Sequence, residues 1–196
     1  MKPKNPLFWI VAIAGLILDQ LTKQWFVQNF ELNESITLIA GVLNFTYVTN
    51  PGAAWSLFSE NGEWLKWLSM AVSLALALYG WFAHIENKWE ALGYGFILSG
   101  AFGNGIDRLL QGEVVDFLHV FPATGFPIFN LADVWINVGI FCLLIIAIIF
   151  PDPKAAQDSK TSAKSSPSAP PVNKATRRDF NRRSRRYYGQ DRTLRR

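Results

Sequence analysis

Long apolar runs alternate with shorter polar segments along the first 150 residues of the chain. A helix needs about 20 residues to cross a hydrocarbon core of roughly 30 Å, and four runs approach that length. They cover residues 7–28, 64–84, 91–110 and 133–150, and the polar patch from His84 to Glu90 separates the second from the third as a tight turn. The pattern predicts an all-α integral membrane protein, a four-transmembrane-helix bundle.

Two segments between the runs have the composition of strands instead. Residues 29–63 are rich in β-branched, aromatic and leucine side chains, and Gly41 and Asn50-Pro51-Gly52 interrupt them as turns. Glu113 to Val120 also reads as an extended stretch. We therefore expect a small β-rich region lying on one membrane surface.

The two ends of the chain differ in charge. Residues 1–150 carry six Lys or Arg and eleven Asp or Glu, whereas residues 151–196 carry thirteen Lys or Arg and four Asp. The basic character therefore belongs to the tail, which has too few apolar residues to form a core and is predicted to be disordered. Its arginines with Tyr187 and Tyr188 could bind RNA, but the simpler expectation is contact with anionic lipid, and no specific nucleic acid is expected.

Basic residues also predict the orientation in the membrane. Four spans place both termini on one side, and the N-terminal run is too long, with no cleavage site after it, for a secretory signal peptide. Lysine and arginine are enriched on the cytoplasmic side of membrane proteins. The residues predicted on that side are Lys2, Lys4, Lys88 and the tail, against Lys66 and Arg108 near the other. The termini are thus expected to be cytoplasmic, and segments 29–63 and 111–132 extracytoplasmic.

Asp116 and Asp133 are the strongest candidates for chemistry. Each stands among apolar residues beside a predicted span, where a carboxylate costs several kcal/mol unless it is used or paired. Seventeen positions and a Pro/Gly-rich turn separate them, enough chain to bring them face to face. Paired carboxylates can share a proton, one activating water and the other polarising a carbonyl. Two unrelated interfacial acids remain the alternative.

Other polar residues inside the runs also need a role. Asp19 and Lys23 lie four apart on one helix face, either as a self-neutralising pair or facing a functional site. Asn104 and Arg108 share a face in the same way, with a structural tie and substrate contact equally open. Asp107 could pair with Arg108 or cap a turn.

Two further patterns favour structure over chemistry. Small residues recur every four positions in the third run, which allows another helix to approach closely; they are Ala91, Gly95, Ser99 and Gly103. Cys142 reads as a small buried hydrophobe. No cofactor or metal site is indicated, because His119 stands without further ligands near it.

Five motifs together resemble the lipoprotein signal peptidases (signal peptidase II), bacterial membrane aspartyl proteases. The resemblance covers about residues 5–150. Its motifs are Asp19-Gln20-Leu21-Thr22-Lys23, Asn50-Pro51-Gly52-Ala53-Ala54, Gly103-Asn104 with Asp107-Arg108, Val114-Val115-Asp116-Phe117, and Phe129-Asn130-Leu131-Ala132-Asp133. Each motif is weak alone, but all five in this order are specific.

The resemblance implies an aspartic endopeptidase of the bacterial inner membrane. Its implied partners are membrane lipid and prolipoproteins with a diacylglyceryl-modified cysteine, cleaved on the amino side of that cysteine. It implies Asp116 and Asp133 as the catalytic pair. The residues implied to shape the site and hold the substrate are Asp19, Lys23, Asn50, Gly52, Asn104, Arg108 and Asn130.

Local sequence suggests that the two acids differ in how readily they ionise and therefore have different roles. Asp133 lies in the first turn of the last helix, after a potential Asn130 cap, and the helix dipole favours its ionised form. Asp116 lies between Val115 and Phe117 and is harder to ionise. Two rival functions remain open: a lipid or proton carrier, and an intramembrane aspartyl protease that cuts deep in the bilayer. The second is disfavoured because its Gly-x-Gly-Asp pattern is absent.

Overall fold

The structure is a computed structural model that describes residues 4–52 and 63–149. Its helices are α1 (Pro6–Asn29), α2 (Glu63–Phe82), α3 (Lys88–Leu110) and α4 (Leu131–Ile149). Its strands are β1 (Ser35–Ile39), β2 (Leu43–Asn50) and β3 (Val114–Val120), with a short 3-10 helix at Pro122–Thr124. The predicted tail and part of the predicted outer segment, residues 53–62, lie outside the described residues.

Helix α3 lies at the centre of the bundle because small residues line two of its faces. The predicted stripe packs against α1: a Cβ on Gly95 would lie 2.8 Å from the Phe8 carbonyl oxygen, and Ser99 fills the space beside Gly15. A second face, with Gly93 and Gly100, packs against α4. The packing role predicted for the stripe is therefore confirmed.

One end of the bundle is closed by Asn5, just before α1. Its side-chain amide donates to the carbonyl oxygens of Gly80 (2.7 Å) and Ala83 (2.9 Å), and its Oδ1 accepts from the amide of Ile85 (3.0 Å). The N-terminus of α1 is thus tied to the connection between α2 and α3. The polar side chains of interest all lie toward the other end.

The three strands form one antiparallel sheet in the order β1-β2-β3. Val48 pairs with Asp116, and Asn50 pairs with Val114. On its other edge β3 bonds the backbone of Phe129, which brings the start of α4 beside the strand. The sheet is anchored on α1 where the ring of Phe26 stacks on Phe117 at 4.2 Å between centroids.

Many large apolar side chains of the helices face outward, whereas several polar and charged side chains are buried between the helices. Ile10, Ile17 and Leu21 of α1 are all at least half exposed, whereas Asp19 and Lys23 on the same helix are buried. That inversion is expected of a protein whose solvent is lipid. Within the described residues three helices are long and apolar enough to cross a membrane: Pro6–Asn29, Trp64–Phe82 and Leu131–Ile149.

The observed elements correct several predicted boundaries. Helix α3 begins at Lys88 rather than 91, because the side chain of Asn87 caps it by accepting from the amide of Trp89 at 2.9 Å. Helix α2 ends at Phe82 rather than 84. Helix α3 was predicted as a span but is not among the three qualifying helices. The description all-α also understates the sheet, because β3 carries Asp116.

We predict that Gly100→Leu destabilises the bundle, because a side chain there would collide with the Ala132 carbonyl oxygen and the Ile136 side chain. Forcing extra methylenes into a packed interface costs about 1–3 kcal/mol. The thermal midpoint in detergent should fall, while Ala75→Leu, on an exposed position of α2, should leave it unchanged. An unchanged midpoint for Gly100→Leu would contradict the close packing of α3 on α4.

Candidate active site

The N-terminus of α4 is the part of the structure on which the polar residues converge. Asn130 caps the helix: its Oδ1 accepts from the amide of Asp133 at 3.1 Å, and Asp133 Oδ2 accepts from the amide of Asn130 at 3.3 Å. This reciprocal pair is a capping box. It explains why α4 begins at Leu131 and fixes the Asp133 carboxylate against its own helix end, where the dipole favours negative charge.

Asp116 reaches the same place from β3. Its Oδ1 accepts from the Asn130 side-chain amide at 2.7 Å, and its Oδ2 accepts from that of Asn50 at 2.9 Å. Asn50 ends β2, and its Oδ1 accepts from the amide of Gly52 at 3.0 Å, which forms the predicted turn. Asn130 therefore contacts both acidic residues, Asp116 and Asp133.

Burial raises the pKa of Asp116 from the ordinary 3.8 to about 7, and the nearby charge of Asp133 adds to the rise. The hydrogen bonds from Asn50 and Asn130, with the charge of Lys23, act in the opposite direction but do not cancel it. Between pH 3.8 and about 7, Asp116 is therefore protonated in the folded state but ionised in the unfolded chain. This contribution to stability is complete below 3.8 and is lost as the pH rises through about 7.

A buried cluster of charged side chains, Asp19, Lys23 and Asp107, lies next to this site. The ammonium of Lys23 lies 3.0 Å from Asp19 Oδ2 and 2.8 Å from Asp107 Oδ2. Gln20 donates to both carboxylates, at 3.2 Å and 3.1 Å. Asp19 also accepts from the amide of Ala132 at 2.9 Å, so that a residue of α1 helps to cap α4.

Asn104 connects this cluster to Asp133. Its Oδ1 accepts from Lys23 Nζ at 2.9 Å, and its Nδ2 donates to Asp133 Oδ1 at 2.9 Å. Because an ammonium can only donate, it fixes the orientation of the Asn104 amide and therefore the direction of the bond to Asp133. Asp133 thus accepts N–H donors at both carboxylate oxygens.

Arg108 lies at the edge of the site. One terminal nitrogen donates to the carbonyl oxygen of Gly52 at 3.1 Å, and the other lies 3.4 Å from Ser69 Oγ on α2. Among the described residues its buried Nε has no hydrogen-bond partner. Arg108 thus joins the turn after β2, the N-terminal half of α2 and the last turn of α3.

The structure brings all nine residues predicted for the site to one end of the bundle. They are Asp19, Lys23, Asn50, Gly52, Asn104, Arg108, Asp116, Asn130 and Asp133. Asp19 and Lys23 do pair, but Lys23 also crosses to α3, so the pair is more than intrahelical.

Sequence reasoning left three contributors out of the predicted site. Asp107 forms its ion pair with Lys23 and not with its neighbour Arg108, and it accepts from the amide of Val115 at 3.4 Å. Gln20 and Ser69 were also missed. The available signal was the position of Gln20 and Asp107 inside recognised motifs, whereas Ser69 gave none. Within the described residues no group of three or more His, Cys, Asp or Glu side chains is arranged to hold a metal ion.

Comparison with known proteins identifies the family of the chain. The family model for signal peptidase (SPase) II matches residues 11–150. The chain belongs to the signal peptidase II family. It is a membrane-associated peptidase, and the resemblance found in its motifs is confirmed.

The chain aligns with its relatives over nearly the whole length of each relative. A lipoprotein signal peptidase of a Cyanothece species is 53% identical over 87% of this chain and 96% of its own. One from Microcystis aeruginosa is 59% identical over 74% of this chain and 94% of its own. A bacterial membrane enzyme solved by the in meso method superposes with a TM-score of 0.64 at 29% identity, over 82% of this chain and 93% of that one.

We predict that Lys23→Met destabilises this signal peptidase II family member by about 3–5 kcal/mol, because Asp19 and Asp107 would be left as buried carboxylates without their cation. Thermal denaturation in detergent measures the loss. Lys88→Met, at an exposed position, is the matched control. Adding Asp107→Asn to Lys23→Met should recover part of the loss, and an unaffected single variant would contradict the cluster's structural importance.

Proposed function

We propose that the chain removes signal peptides from prolipoproteins as a membrane aspartic endopeptidase, with Asp116 and Asp133 as its catalytic pair. The observation that carries this proposal is that both carboxyls bind one residue, Asn130: Asp116 Oδ1 accepts from its side-chain amide, and Asp133 Oδ2 accepts from its backbone amide. One carboxyl has a pKa raised to about 7 and the other lies at a helix N-terminus. Two acids in such unlike environments are suited to divide the roles of acid and base.

In the proposed reaction, ionised Asp133 takes a proton from water while protonated Asp116 donates a hydrogen bond to the scissile carbonyl. The water oxygen attacks the carbonyl carbon, and Asp116 transfers its proton to the developing oxyanion. Collapse of the tetrahedral intermediate breaks the C–N bond, and the proton on Asp133 passes to the leaving nitrogen. The oxyanion proton returns to Asp116, which restores the starting state.

The site contains more carboxyl groups than cations, which supports the proposal that one carboxyl keeps its proton. Four carboxyls, of Asp19, Asp107, Asp116 and Asp133, surround two cations, Lys23 and Arg108. Full ionisation would leave two uncompensated negative charges in a buried region, which is costly. A proton on Asp116 removes one of them.

We infer that the substrate is a precursor with a diacylglyceryl-modified cysteine, cut on the amino side of that residue. The relatives are lipoprotein signal peptidases, and lipid-facing helices end beside the two acids. A signal helix can pack along these helices while an extended segment of the precursor meets Asp116 and Asp133. No cofactor enters this scheme.

We infer that α3 also spans the membrane and that the site faces the extracytoplasmic side. Helix α3 packs between helices that are apolar enough to span, and its polar residues are turned inward. Asn5 ties the start of α1 to the α2–α3 connection, so Lys4 and Lys88 lie at the end opposite the site. The positive-inside rule then makes that end, and both termini, cytoplasmic. Contact of the tail with anionic lipid remains a prediction.

Asp116→Asn and Asp133→Asn should each lower the rate of cleavage of a lipid-modified precursor peptide by at least about a thousandfold. The first variant lacks the proposed acid and the second lacks the proposed base, so neither can complete the proton transfers. The full chain in detergent is assayed by mass spectrometry of the products. Thermal midpoints should show that both variants fold. A carrier would cleave nothing, and undiminished cleavage by either folded variant would refute the catalytic pair.

The specificity constant for cleavage should fall as the pH rises through about 7, because Asp116 must carry its proton to act as the acid. One pH unit above this value about a tenth of the protonated form remains. Since the two acids interact, infrared spectroscopy of the carboxyl stretch must assign the proton. A protonated-carboxyl band at neutral pH that disappears in Asp133→Asn but persists in Asp116→Asn would reverse the two roles.

A further inference from the structure

Asn137 is a polar side chain exposed on α4, a helix that otherwise turns apolar side chains outward. The large exposed side chains that follow it on the helix are Ile140, Phe141, Leu144, Ile148 and Ile149. The indole nitrogen of Trp135, by contrast, lies within the bundle and donates to the Gly15 carbonyl oxygen at 3.2 Å. Polar groups in membrane spans usually face a protein interior or a functional site, so an exposed amide on this helix is unexpected of a purely structural residue.

The amide of Asn137 is held beside Asp133 with one end unused. Its Nδ2 donates to the backbone carbonyl oxygen of Asp133, one turn earlier, at 2.8 Å. Because a carbonyl can only accept, the nitrogen must face Asp133 and the side-chain oxygen must face away from it. Among the described residues, Asn137 Oδ1 has no hydrogen-bond partner. The side chain therefore presents a fixed acceptor that no described group uses.

Asn137 continues the face of α4 that carries Asp133. At about 100° per residue, four positions bring a side chain back to within about 40° of the first. The faces beside it are occupied, since Ile136 packs on Gly100 of α3 and Trp135 bonds a carbonyl oxygen of α1. At Asn137 neither helix covers α4, and the side chain is exposed. A ligand that contacts Asp133 and extends along this face therefore passes Asn137.

The spacing along the helix fits an extended peptide. Asn137 lies about 6 Å beyond Asp133 at 1.5 Å per residue, in the direction that leads from the site into the span. An extended chain advances about 3.3 Å per residue. In the proposed reaction the residues before the scissile bond lead into the membrane. Asn137 is thus level with the substrate residue about two positions before that bond.

A substrate at this depth needs a hydrogen-bond acceptor. Within a signal helix each backbone N–H bonds the carbonyl four residues earlier, but an extended segment after the helix has no such partner. An unbonded backbone N–H in hydrocarbon costs several kcal/mol. Asn137 Oδ1 offers an acceptor on the path of that segment.

We propose that Asn137 is a substrate-binding residue, whose Oδ1 accepts a backbone N–H of the precursor about two residues before the scissile bond. This inference rests on the proposed function. The contact holds the extended segment against α4 and aligns the scissile carbonyl with Asp116 and Asp133, without a part in proton transfer. Since it recognises backbone, it is independent of the side chain at that substrate position.

The test combines a variant of the full chain with the removal of a single donor from the substrate. Asn137→Leu deletes the acceptor and suits a lipid-facing position, so the thermal midpoint in detergent should not fall. Two lipid-modified precursor peptides carry an ester oxygen in place of the backbone N–H, one at the second and one at the third residue before the scissile bond. Phe141→Leu, at an exposed position of the same helix, is the control.

Asn137→Leu should lower the specificity constant for the all-amide peptide by about threefold to tenfold, the effect of one neutral hydrogen bond. The unaltered chain should cleave one of the two ester peptides more slowly by a similar factor. Asn137→Leu should not slow cleavage of that ester peptide further, because the two changes remove the same bond. Phe141→Leu should cleave all three peptides as the unaltered chain does.

An equal fall for the all-amide peptide and both ester peptides would show that Asn137 acts on Asp133 through α4, and would overturn the substrate contact. The absence of any fall with Asn137→Leu would overturn it as well. In either case the unaltered chain still cleaves the all-amide peptide, so the proposed function stands. Failure of the unaltered chain to cleave that peptide would instead overturn the proposed function and this contact with it.

Discussion

The ammonium of Lys23 is the interaction on which the polar interior depends. It lies 3.0 Å and 2.8 Å from the carboxylates of Asp19 and Asp107, and all three side chains are almost fully buried. A charge removed from water in this way is tolerated only when it is paired and hydrogen-bonded. Because Asp19 also binds the first turn of α4, one cation links α1, α3 and α4.

The same cation gives the hydrogen-bond network its direction. Lys23 can only donate, so Asn104 must present its oxygen to it and its amide to Asp133. Asn130 then joins Asp133 to Asp116, whose pKa of about 7 reflects first its burial and then the neighbouring charge. The surroundings of Asp116 thus favour its protonated form, which suits the acid role proposed for it.

The sheet and the small residues of α3 bring the polar side chains of this network together. Gly95 and Gly100 let α1 and α4 approach α3 closely enough for side chains of three helices to meet. Strand β3 places Asp116 in the site. It pairs with β2 on one edge and with the backbone of Phe129 on the other.

The sequence by itself determined the lengths of the apolar runs, the strand character of β2 and β3, and the family to which the motifs belong. These are local properties: hydropathy, turn residues and short motifs can be read without knowing what lies beside them. Only the tertiary structure decided that Asp107 pairs with Lys23 rather than with Arg108, and that Asn130 touches both acids. Such partners lie on different elements, 113 positions apart in the case of Ala132 and Asp19, and their contacts depend on how closely the helices pack.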